Sequence, residues 1–316
     1  MGYNTAIKRK KQKSLNFQEK FAGVLFEEGI MEFEREIHEQ YQKAYALGMK
    51  NLQDKRKQRL AVCPAALNTL LDEKMVSYRM DLGVLEIPTN LIVGVSEATE
   101  ELLLYTKEFL PVSVPSSDFA DCWRVLYQKL NADHAFAEEI SCYEYLGRFY
   151  VIDGLKRVSV AKYMGLSTIR SQVIRILPMR TDAQEVVQYV EFLSHYRHTK
   201  LYQLQFTQKG YFEKLQVALG RKPGYRWSDT DRANFLRHWP VIEGAFRKSY
   251  EESLRITPAD ALVVLLNRYT YDQIISMDPW VLARIFQAFW KEMYTLSFPD
   301  AGKAEAIHAV EVLQTA

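Results

Sequence analysis

Apolar positions along the chain fall into three regimes. From Phe17 to about Arg59 they recur at helical intervals, with Phe33, Ile37 and Tyr41 four residues apart and so stacked on one face. From Asp81 to Pro178 the runs shorten and alternate. From Thr181 onward the helical period returns.

The middle stretch predicts the most specific elements. Gly83 to Gly94 reads as a short strand, a turn at Pro88 and a second apolar segment. Ser96 is placed to cap a helix through Leu102 to Phe109, stopped by Pro111 and Pro115. Ser117 and Asp118 cap a further helix through Trp123, Leu126 and Leu130. Ile140 to Tyr145 alternates, Leu146-Gly147 reads as a hairpin turn, and Phe149 to Ile152 is the partner strand. Asp153-Gly154 is a turn, because glycine tolerates backbone angles other residues avoid. Leu155, Val158 and Ala161 then share a helix face, with Gly165 as the stop. Ser167 to Leu177 is the last strand, closed by Pro178.

Before this stretch, a short helix is predicted from Ala65 to Leu71. After it, Asp182 is predicted to cap a helix over Ala183–Tyr196, and Gly210 to Leu219 is helical. Asp229 or Thr230 opens a helix through Phe235 and Trp239, with a separate helix over Val241–Leu254. Thr257-Pro258 starts Ala259–Asn267, with proline in the first turn. Pro279–Thr295 reads as one long aromatic helix. Trp227, Trp239, Trp280 and Trp290 read as core or interface residues. Residues 259–275 superficially allow a helix-turn-helix, but its second segment has few basic or amide side chains to read base edges.

The expected fold class is therefore α+β. A small mixed α/β domain over 81–178 is flanked by an N-terminal helical region over 17–80 and a C-terminal helical domain over 179–296. Residues 1–16 read as a basic disordered arm and 297–316 as a tail.

Charge sharpens this layout. The formal net charge is only +2, so the chain as a whole is no polycation. Residues 81–147 carry 3 Lys/Arg against 12 Asp/Glu, whereas 148–175 carry 6 against the single Asp153. Basic charge thus gathers at the strand–turn–helix around Gly154. A second concentration, Lys8 to Lys13, lies in the arm and is either a solvated tail or a weak contact to DNA. The 3 cysteines form no CxxC pair, which fits a reducing cytoplasmic compartment. No apolar leader or membrane-length run is evident, so no membrane association is expected.

Chemistry concentrates at the same turn. A helix start carries unpaired N–H groups and partial positive charge, which suits an anion. Lys156 and Arg157 add two cations there, a placement that opposes the helix dipole unless an anion or acid sits nearby. The pair is either a phosphate site or two solvated side chains. Glu138 and Glu139 lie before the hairpin, where they offer either magnesium ligands or a solvated acidic loop. Asp153 shapes the turn, orients Arg157 or binds metal. His195 and His198 lack further ligands in sequence and read as surface histidines, so no metal site is assigned.

The run from Ile140 to Gly165 resembles the ParB/sulfiredoxin-like domain. The resemblance lies in the hairpin, in Tyr150-Val151-Ile152-Asp153-Gly154, and in the basic residues opening a helix that ends near glycine. Leu85 to Ile92, with its Ile87-Pro88 turn, is similar to the family's opening strand. The likeness covers about residues 83–178 and is specific from 140 to 165. It implies a bacterial regulatory or DNA-associated protein, such as a transcriptional regulator, that binds a nucleoside triphosphate, CTP or ATP, with magnesium. Gly154, Lys156 and Arg157 would hold the phosphates. The N-terminal helical lead-in packs either on the next domain or on a second copy of the chain, which leaves a homodimer open. The resemblance leaves open a nucleotide hydrolase or small-molecule kinase of the same fold, with Asp153, Glu138 or Glu139 as catalytic candidates, and a degenerate non-catalytic scaffold. Leu155 stands where sulfiredoxins carry their cysteine, which removes that redox chemistry. The family's second phosphate contact, on the preceding helix, has no clear counterpart; Trp123-Arg124 lies in that region but matches poorly.

Overall fold

A computed structural model describes residues 35–297, apart from 134, 135, 137, 223 and 250–255. The described chain is a mixed α/β protein built on a six-stranded sheet. The predicted basic arm, Phe33 and the C-terminal tail lie outside the described residues.

The chain divides into two compact units. Among the described residues, the first comprises those up to Glu73, Met80–Glu144 and Arg148–Arg175; the second comprises Lys74–Arg79, Tyr145–Gly147 and those from Ile176 onward. Sheet order is β1 (Ala65–Ala66), β3 (Ile92–Val95), β5 (Arg148–Asp153), β4 (Ile140–Tyr145), β6 (Thr168–Pro178) and β2 (Val76–Pro88). β1 and β5 both pair parallel to β3. β4 and β5 are joined by Leu146 and Gly147, whose φ angles of 51° and 74° are those of a two-residue type I′ hairpin. β2 begins at Val76, ahead of the predicted boundary at 81, and β1 occupies the first residues of the helix expected from Ala65. That helix shrinks to α2 (Leu67–Leu70).

Within the sheet unit, helix α1 (35–57) presents Ile37, Tyr41 and Ala44 to the core, the face that the fourfold spacing predicts. Tyr41, Phe119, Trp123, Leu130 and Val160 form one apolar cluster under α1, α3 (Asp118–Asp133) and α4 (Leu155–Tyr163). Phe149, Tyr150 and Val151 are buried consecutively, as expected of an inner strand covered on both faces. The helix expected after Ser96 is a correction. Only a 3₁₀ turn forms, at Glu100–Leu104, and Tyr105 is already extended. The buried Thr106 accounts for the stop: its hydroxyl accepts from the Leu110 N–H at 3.2 Å and its own N–H donates to the Leu110 carbonyl, closing a local turn with Phe109 at φ 64°.

The helical unit holds α5 (Gln184–Thr199), α6 (Tyr211–Ala218), α7 (Asp229–Ser249), α8 (Pro258–Leu266), α9 (Tyr271–Ile275), α10 (Pro279–Ala288) and α11 (Trp290–Ser297). Ala183, not Asp182, caps α5, and it supplies no side-chain bond. The two helices predicted around Pro240 are one. Phe235, Trp239, Ile242, Ala245 and Phe246 keep a single buried face across the proline, and that burial outweighs the roughly 3 kcal/mol that an interior proline costs. Conversely, the long aromatic helix breaks at Phe289 into α10 and α11. Trp227 and Trp239 are core residues, but Trp280 is exposed under the Arg284 guanidinium. α8 is buried over Ala259–Leu265 and α9 spans only 5 residues, so the pair offers no projecting recognition helix. Thr257 caps α8, and the fully buried Asp260 closes the capping box by accepting from the Thr257 amide at 2.8 Å and from the Thr207 amide at 3.0 Å, which satisfies a carboxyl that burial shifts upward. His195 is buried rather than on the surface, and burial pushes its imidazole toward the neutral form.

Candidate functional site

The site is built where β5 runs out. Asp153 is exposed at the strand end, and Gly154 turns the chain at φ 100° into α4. Gly154 is the helix N-cap and has no capping side chain; its carbonyl accepts the first helical bond, from Val158 at 3.0 Å. The amides of Leu155, Lys156 and Arg157 therefore have no intrahelical acceptor and no capping side chain, as helix geometry leaves them at a helix start. A Cβ on Gly154 would lie 2.5 Å from Cγ2 of the buried Ile140, so the fold itself demands glycine here.

The cations are not free. The Arg157 guanidinium reaches back across the turn and donates to the carbonyls of Glu138 and Glu139, both at 3.1 Å, and to Asp153 Oδ2 at 2.9 Å. The Glu138 carboxylate stands 3.5 Å away. One planar fork thus fastens the entry of β4 to the exit of β5. Lys156 donates to Glu101 Oε1 at 3.2 Å and lies over the Phe119 ring. The unfavourable dipole placement read from the sequence is offset by carboxylates, and those carboxylates are the solvent-facing members of each pair: the side chains of Glu101, Asp153 and Glu138 are 40%, 74% and 85% exposed.

The basic concentration over 148–175 is also not a single surface patch. Arg175 is buried against the fully buried Glu144. Lys162 is half-buried at the far end of α4, donates to the Ile92 carbonyl at 2.7 Å, and is pulled from 10.5 down to about 8 by desolvation, with Glu108 opposing. The sign of its pH effect follows from proton counting. Between pH 8 and 10.5 the unfolded chain holds more proton on this lysine than the folded one, so stability rises with pH. Urea melts from pH 8 to 9.5 should show a slope of up to about 1.4 kcal/mol per pH unit. Lys162→Met should flatten it; parallel slopes in the two proteins would refute this placement of the charge.

Beside the turn, a cleft of about 350 Å³ is lined by Glu86, Phe136, Glu138, Leu166, Ser167, Thr168, Ile169 and Arg170. Its size lies in the range of small-molecule pockets. Glu138 belongs both to this cleft and to the Arg157 network. The contributions of Glu86, Phe136 and Arg170 carry no sequence signal: Glu86 and Arg170 meet through the neighbouring strands β2 and β6, and Phe136 comes from the segment between α3 and β4. Trp123 and Arg124 turn inward to other tasks. The Trp123 indole donates to Ser159 Oγ at 3.0 Å in the core, and Arg124 donates to the Pro115 carbonyl and pairs with Asp121. The Asp153 and Glu138 carboxylates face Arg157, and Glu139 reaches it through its backbone carbonyl.

Comparison with protein-family models and with curated proteins finds no match. No helix among the described residues is long and apolar enough to cross a membrane.

Proposed function

We propose that the sheet unit is a ParB-like nucleoside-triphosphate-binding module of a regulatory or DNA-associated protein. One observation carries the reading: a helix start without a capping side chain, flanked by two cations, Lys156 paired to a solvent-facing carboxylate and Arg157 held by two solvent-facing carboxylates and two backbone carbonyls. A triphosphate with magnesium would meet the α4 amides and take Lys156 from Glu101 and Arg157 from Asp153 and Glu138. Backbone N–H groups need no protonation, so binding would persist across neutral pH. Hydrolase or kinase activity is the weaker form of this reading, because the second phosphate contact has no counterpart on α3, where Arg124 is held by the Pro115 carbonyl and Asp121.

The Arg157 ion pairs favour a second reading, a non-catalytic scaffold in which Arg157 is a clamp. Titration of CTP, ATP and GTP with magnesium separates the two. One nucleotide is expected to bind, and Arg157→Ala should weaken it by roughly 1.5–3 kcal/mol, the scale of charge-assisted bonds. Glu101→Gln releases Lys156 and should tighten binding a few-fold under the first reading. No binding up to millimolar nucleotide supports the scaffold. Phosphate release from bound nucleotide tests for an enzyme.

A further inference from the structure

A second group of ligand-type side chains meets in the helical unit. Glu191 and His195 are one turn apart on α5, and Glu213 stands in the first turn of α6. One donor atom from each lies within 4.8 Å of the other two. The His195 side chain is only 7% exposed, and its Nε2 makes no hydrogen bond although Glu191 Oε1 is 3.5 Å away. Phe212 stacks on the imidazole at 4.1 Å between centroids, and Phe206 meets it edge-on. These rings hold the imidazole in place and shut water out from its faces.

The hydrogen bonds favour the tautomer that leaves Nε2 available. The Ser194 hydroxyl donates to the Glu191 carbonyl, which leaves its oxygen to accept from Nδ1–H of His195 at 3.4 Å. Nε2 then carries the lone pair, and it faces carboxylates. Glu191 Oε1 is itself held by the Gly210 N–H at 3.0 Å, at the entry to α6. A buried nitrogen lone pair beside two carboxylates is repulsive until a positive charge joins them.

We propose that Glu191, His195 and Glu213 form a binding site for a zinc-type divalent cation. The donor set of one imidazole and two carboxylates suits zinc and related first-row ions, whereas magnesium and calcium prefer oxygen alone. The 3.5 Å separation of Nε2 and the Glu191 oxygen matches the edge of about 3.3 Å in a tetrahedron with zinc–ligand bonds near 2.0 Å. Glu213 is exposed, so it closes the site from the solvent side and leaves the fourth position to water. A bound ion would tie α5 to the start of α6.

The test is zinc competition against a chelating fluorophore on the full chain, with the exposed Cys63 and Cys122 replaced by serine to remove thiolate ligands. One equivalent of zinc should bind with a dissociation constant below about 10 µM, accompanied by a higher melting temperature. Glu213→Gln alters only an exposed carboxylate and should weaken binding at least about tenfold while leaving the metal-free circular dichroism spectrum unchanged. His195→Asn should abolish binding. If that variant fails to fold, Glu213→Gln decides alone. No zinc uptake by the full chain, or undiminished affinity in Glu213→Gln, overturns the proposal; the latter result would leave His195 as one end of a protonated pair with Glu191.

Discussion

Replacing Trp123 with alanine should lower the unfolding free energy of the sheet unit by about 4 kcal/mol. Trp123 is fully buried, stacks on Tyr127 at 5.6 Å, and meets Tyr41 and Tyr163 edge-on at 5.3 and 5.4 Å. These contacts join α1, α3 and α4, so truncation leaves a cavity that three helices must collapse to fill. The indole N–H also donates to Ser159, which is itself fully buried on α4. Trp123→Phe retains most of the ring and loses the hydrogen bond, and should cost about 1–2 kcal/mol. Equilibrium urea unfolding measures both. A loss under about 2 kcal/mol for the alanine variant would show that the cluster is not a cooperative centre of this unit.

Gly154→Ala should cost about 3 kcal/mol, before any ligand is considered. Two effects add. A φ of 100° is a conformation that side chains with a Cβ adopt only at a cost, and the new methyl would press on Ile140 Cγ2 at 2.5 Å. Ile140 is wholly buried and cannot swing aside. A double-mutant cycle separates the terms: Ile140→Ala removes the opposing methyl, so the steric part of the Gly154→Ala penalty should vanish in that background while the backbone part remains. An unchanged penalty would assign all of it to the backbone. If Gly154 served only close approach to a phosphate, Gly154→Ala would instead reduce nucleotide affinity at unaltered stability.

Local signals in the sequence were enough for the hairpin, for α3 and α4, and for β6, because alternation and helical spacing are properties of neighbouring residues. Elements whose fate depends on distant packing were not legible. Nothing near Pro240 announces that Phe235 and Phe246 share one buried face, and nothing near Leu102 announces that Thr106 will close its own turn. The site divided the same way. Lys156 and Arg157 stood out as cations at a helix start, yet Glu101 lies 55 positions before its partner and no local pattern links them. His195 looked like a surface residue because the rings that bury it, Phe206 and Phe212, arrive a loop and a helix later. Charge counts misled for a related reason: Arg175 is buried and the half-buried Lys162 is tied to the Ile92 carbonyl, which a tally along the chain does not register.

The chain changes unit after residues 73, 79, 144, 147 and 175. Ends of β2 and β6 and the Leu146-Gly147 turn are therefore assigned with helices encoded much later. A gene cut at residue 178 would not yield an autonomous N-terminal half and an autonomous C-terminal half, since each would lack or carry pieces that fold with the other. Such interleaving means that a cassette carrying the sheet unit has to be drawn around two strand ends and a turn rather than at one cut.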